Sequence, residues 1–117
     1  LYDINHGIVL FNDSDFFAAH DFFEEIWFEC ERSEKLFFQG MIQISVGCYH
    51  LICGNVSGAR SQLQKGITKL KNYPNGYYKI DLKSLIGELS ELSIEADELS
   101  GSAEILMKKI PTIELIN

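Results

Sequence analysis

The sequence predicts an all-α protein, on three observations. Apolar residues recur at three- and four-residue spacing through four long segments, the signature of helices with one buried face. Residues that start or stop helices stand between those segments: Asn12, Gly54-Asn55, Pro74-Asn75-Gly76 and Asp81. The run from Lys35 to Gly54 is apolar almost all the way round, as expected of a helix buried on every side. The expected architecture is one domain over residues 1–117: a compact bundle of about four helices plus a short C-terminal helix. The first two helices form an antiparallel hairpin, and the second is central.

In chain order, residues 1–11 are short and mixed and predict no regular element. Asn12 reads as a helix N-cap, with Asp15 three residues on and Phe11 and Phe16 placed as a hydrophobic staple. The first helix should then run from about Asp13 to Glu31. Ala18, Asp21, Glu25 and Glu29 face solvent, and Phe16, Phe23, Ile26, Trp27 and Cys30 face inward. Arg32 to Glu34 is a tight connection to the central helix. Gly54 ends that helix and Asn55 caps the next, which runs from about Val56 to Tyr73 with Val56, Ala59, Leu63, Ile67 and Leu70 on one face. Asp81 caps the fourth helix, with Ile80 and Leu85 as staple and an apolar stripe of Leu82, Leu85, Leu89, Leu92, Ala96 and Leu99. Gly101 interrupts it. Ser102 to Lys109 predicts a short fifth helix stopped by Pro111. Thr112 to Asn117 is an alternating tail able to dock on the core or on another protomer.

A formal charge of -7 argues against nucleic acid or an anionic membrane as partner. Residues 1–55 carry nine acidic and two basic side chains, residues 56–80 five basic and none acidic, and residues 81–117 eight acidic and three basic. The basic third helix is therefore expected to lie between acidic neighbours. Three cysteines, Cys30, Cys48 and Cys53, lack a metal-binding spacing and read as reduced thiols of a cytoplasmic protein. Gln, His and Gly within Lys35–Gly54 favour a core helix over a membrane span.

The residues that carry chemistry converge on one seam. On the central helix Gln39, Gln43 and His50 share a narrow stripe beside Gly40 and Gly47. On the first helix His20 and Glu24 lie one turn apart, and by wheel angle Glu24 falls inside the apolar arc between His20 and the rings of Phe17 and Phe28. A carboxylate there needs a partner. A hairpin turning near Ser33 and Glu34 would set Trp27 opposite Gly40, Glu24 opposite Gln43, and His20 opposite Gly47, one turn from His50. Two readings follow. In the plainer one the seam is a buried His/Glu/Gln hydrogen-bond network that fixes helix register in a noncatalytic binding or assembly module, with a protein partner or a second copy as its target. In the sharper one His20, Glu24 and His50 hold a divalent metal, with Gln43 orienting Glu24, in a metal-dependent hydrolase or a binder of metal or small ligands. The serines Ser33, Ser45 and Ser61 have no base at a recognisable spacing, so a hydrolytic triad has little support.

The strings FNDSDFFAAHDFFEEIW and FFQGMIQISVGCYHLICGN, with Gly58-Ala59 after them, resemble the all-helical family known as domain of unknown function 309. The resemblance rests on Phe11-Asn12, His20, Asp21, Glu24, Trp27, Gln39, Gly40, Ile42, Gln43, His50, Gly54 and Asn55, and spans about residues 11–81. It implies a helical bundle and no known activity. A weaker likeness to one tetratricopeptide unit lies in the spacing of Gly47, Ala59, Leu63 and Gly66. It reads as shared helical-hairpin packing, since stable arrays of that repeat need about three copies.

Overall fold

The computed structural model describes residues 1–98 and 102–117. Among the described residues six helices follow one another: α1 (Asn5–Asn12), α2 (Phe16–Glu29), α3 (Arg32–Ile52), α4 (Val56–Leu70), α5 (Leu82–Glu98) and α6 (Ala103–Met107), with a 3-10 turn at Tyr77–Lys79 before α5. The strand-like pairing among the described residues is one isolated antiparallel bridge between Ile80 and Leu115. Among them, too, no helix is long and apolar enough to cross a membrane. The predicted all-α class and the central place of α3, packed between α2 and α4, are both seen.

α1 is the element that the sequence reading lacks. Ile4, Ile8 and Phe11 bury its inner face, and Gly7 lets it lie close on α2. A Cβ there would stand 2.6 Å from a Phe22 ring carbon and 2.7 Å from Phe23 Cζ. The predicted staple forms, with the rings of Phe11 and Phe16 edge to face at 5.0 Å. The cap does not. Because α1 runs through Asn12, α2 begins at Phe16 rather than near Asp13. Asn12 does other work: its Nδ2 donates to Ile113 O at 3.0 Å and its Oδ1 accepts from Ile113 N at 2.7 Å. The tail is thereby clamped to the first helix. Ile113 is buried, Asp81 N donates to Glu114 O, and Ile116 N donates to Lys79 O. Of the two docking sites open to the tail, the chain's own core takes it.

The later boundaries follow their local signals. Gly54 adopts a φ of +84° that ends α3, and Asn55 Oδ1 accepts from Gly58 N at 2.9 Å to cap α4. Asp81 accepts from Ser84 N at 3.3 Å and from Ser84 Oγ at 2.9 Å at the start of α5. Val56, Ala59, Leu63, Ile67 and Leu70 are buried together, as are Leu82, Leu85, Leu89, Leu92 and Ala96. The predicted roles of Leu99 and Gly101 lie outside the described residues. Arg60 on α4 pairs with Asp97 on acidic α5, whereas α3, the other neighbour of α4, carries Arg32, Lys35 and Glu34 and is not acidic.

α3 and α4 approach closely through small residues. A Cβ on Gly66 would stand 2.7 Å from Ile44 Cγ2 and 2.9 Å from Gly40 O, and one on Gly47 2.8 Å from Leu63 Cγ. Gly40 and Gly47 therefore receive Leu70 and Leu63 of α4, not Trp27 and His20 of α2 as the hairpin register implied. The spacing that resembles a tetratricopeptide unit is this packed helix pair.

Candidate functional site

Two residues, Cys30 and Glu31, join α2 to α3. Lys35 holds the turn by donating its ammonium to the carbonyls of Trp27 and Phe28, at the C-terminal end of α2, where positive charge is favoured. Its ammonium also lies 4.9 Å above the Trp27 ring, so Trp27 is a partly buried partner of Lys35.

Toward α3 and α1, α2 buries Phe16, Ala19, Phe23 and Cys30. That arc is turned relative to the one expected from the sequence, because α1 occupies the Phe22 and Phe23 side. The stripe of Phe17, His20, Glu24 and Phe28 is carried outward. Phe17 is 54% exposed and Phe28 69%. The Glu24 side chain is 46% exposed and does not sit inside the apolar arc.

The expected convergence is met in part. His20 stands between two carboxylates, Nε2 3.5 Å from Glu24 Oε2 and Nδ1 3.1 Å from Asp21 Oδ1. The Asp21 approach is too poorly aligned to be a hydrogen bond, which leaves the buried Nδ1 unsatisfied. Gln43 Oε1 is also buried and finds no hydrogen-bond partner among the described residues. Gln39 is half-buried on the same stripe of α3. His50 does come to His20's neighbourhood. The two imidazoles, with Phe17, Val46 and Tyr49, line one cleft of about 220 Å³. The rings of Phe17 and Tyr49 meet edge to face at 5.5 Å across it, at the hairpin level predicted for His20 and His50. Among the described residues no three His, Cys, Asp or Glu side chains are grouped so as to hold a metal ion. His20 and Glu24 make a pair, and no third ligand completes it.

The other reactive groups nearby are spent or inert. Ser45 Oγ donates to Met41 O at 2.8 Å. Complete burial pushes the Cys48 thiol well above its ordinary value, which leaves it a small apolar filler. Cys53 is exposed at the end of α3.

A second polar constellation was missed in the sequence. Glu34, in the first turn of α3, accepts from the phenols of Tyr78 at 2.5 Å and Tyr77 at 3.3 Å. Tyr73 donates to Ser33 O at 2.8 Å and accepts from Phe37 N at 3.0 Å. Burial and the Glu34 carboxylate push the Tyr77 phenol up to about 12, and the same two causes raise that of Tyr78. This cluster straps the loop before α5 onto α3, holding Tyr78 and Lys79 at φ +53° and +63°. Its signal was present as three tyrosines within six residues around a Pro-Asn-Gly turn.

These features define a small all-helical domain whose central helix is closed on one side by small residues and left part-open on the other. The chain belongs to the family described as "Domain of unknown function (DUF309)", whose model matches residues 4–62. That match takes in α1, α2, α3 and the first part of α4, so it starts earlier and ends sooner than the expected core of 11–81. The chain is also similar to an uncharacterized protein of Aquifex aeolicus (strain VF5), 25% identical over 83 residues, which cover 69% of this chain and 25% of the relative. The chain thus spans about a quarter of that protein's length.

Proposed function

We propose that this domain is a noncatalytic helical module that binds another protein across α2 and α3. The observation that carries the reading is the apolar opening between the two helices: Phe17 and Tyr49, both at least a third exposed, wall a cleft of about 220 Å³ with Val46, His20 and His50. Isolated exposed apolar residues are ordinary; exposed rings packed around a cleft mark a binding surface. His20 and His50 give this cleft its polar groups.

The metal reading draws support from one feature, the two imidazoles on one cleft with Glu24 beside His20. The two readings part on metal content. Elemental analysis of untagged protein is expected to find no stoichiometric metal, and a chelator is expected to leave the melting temperature unchanged. One equivalent of bound metal, lost in His20→Ala before the fold is lost, would replace the module by a metal-dependent protein.

A further inference from the structure

We infer that the α2–α3 face takes a basic amphipathic helix, an inference that rests on the binding-module reading and names its partner's chemistry. Phe17 and Phe28 are eleven residues apart, which is three helical turns or about 16 Å along one face. Both rings are more than half exposed. Phe17 stands at the 220 Å³ cleft between α2 and α3, and Phe28 beside a hollow of about 400 Å³ lined by α2 alone, through Glu25, Ile26, Phe28 and Glu29. Two exposed rings three turns apart on one stripe suit apolar side chains on matching turns of a docked helix.

The sign of the partner follows from charge. From Asp13 to Glu31 the chain has seven acidic and no basic side chains, and no Lys or Arg lines either hollow. Asp21, Glu25 and Glu29 are exposed beside the stripe. Such a rim attracts Lys and Arg and repels an acidic segment or an anionic lipid surface. A second copy fits poorly. Two such faces brought together would oppose acid to acid. The basic α4 offers only polar groups around Lys65 and Lys69, namely Ser61, Gln64 and Thr68, with no apolar anchor.

The test uses two synthetic helical peptides of about sixteen residues, long enough to span both rings. They share one Leu/Phe stripe, flanked by Lys and Arg in one and by Glu in the other. Titrated into the isotope-labelled protein, the basic peptide is expected to move the amide signals of Phe17, His20, Val46, Tyr49 and His50, and to bind at least tenfold tighter than its acidic counterpart. Phe17→Ser, at an exposed position, should weaken it about tenfold with the spectrum of the fold unchanged, the scale of losing one anchor. Asp21→Lys should weaken it too and flatten its salt dependence. Equal binding of the two peptides, no binding of either, or binding that survives Phe17→Ser and maps to α4 or α5 would overturn the inference. Equal binding of both peptides at the α2–α3 face would leave the binding-module reading standing, whereas a stoichiometric metal would remove that reading itself.

Discussion

The two sides of α3 are built by opposite rules. Toward α4 the helix presents Gly40 and Gly47, α4 presents Gly66 and Ala59, and the backbones come so near that one added methyl has nowhere to go. Toward α2 the same helix presents Val46, Tyr49 and His50, and the Phe17 ring of α2 meets Tyr49 beside a cleft. One side has been closed until nothing fits, and the other keeps an apolar opening with two imidazoles on its wall. Stability alone would close both. The contrast separates what holds this domain together from what it offers to a partner.

The largest expected effect tests the closed side. Gly66→Ala adds a Cβ 2.9 Å from Gly40 O, a backbone atom that cannot step aside. Overpacking costs about 1–3 kcal/mol, against roughly 1 kcal/mol gained from helix propensity. A net loss of up to about 2 kcal/mol should appear in urea denaturation. Gly87 on α5 meets nothing within 4 Å, so Gly87→Ala should gain about 0.5–1 kcal/mol by the same measurement. Two changes of equal sign would mean that the α3–α4 contact has room to spare.

On the open side the expected sign reverses. Gln43→Leu removes the buried unpaired acceptor and should stabilise by about 1 kcal/mol. A loss of stability would show that Gln43 has a partner in the free protein. Phe17→Ser should change stability by no more than about 0.5 kcal/mol, because the ring is largely in water. Thermal melts of the pair thus ask whether the groove contributes to the fold at all.

The smallest expected effect is at the strap across the start of α3. The Tyr77 phenol is raised in the folded protein, so its protonated form is the favoured one there. A raised group adds stability that is complete below its unfolded value, about 10, and is lost as pH rises through the folded value, about 12. Stability should therefore fall between pH 10 and pH 12. Tyr77→Phe, which cannot titrate, should make that fall shallower in melts taken across this range.

Much of this was legible in local chemistry. Asn55 and Asp81 cap the helices they were expected to cap, because a side-chain oxygen beside three free backbone N–H groups needs no distant help. α1 went unseen although Ile4, Ile8 and Phe11 have helical spacing. Eight residues are too few to make a helix on propensity, and burial against α2 is what forms it. Missing α1 carried a second error with it. A wheel shows which residues share a face, but a third helix decides which way that face turns. Glu24 was accordingly expected inside and stands half in water. The glycines show the same limit. Gly40 and Gly47 announced a close approach, yet nothing local says which neighbour makes it.

By itself the sequence determined the helices from residue 16 onward, the caps of α4 and α5, the apolar stripes and the pairing of basic α4 with acidic α5. Each of these depends on residues within a turn or two of one another. Only the tertiary structure decided the rotation of α2, the partner of the glycine seam, the clamp of Asn12 on Ile113 and the opening beside His20 and His50. Those depend on which surfaces compete for the same burial, and that competition is settled between segments up to a hundred residues apart.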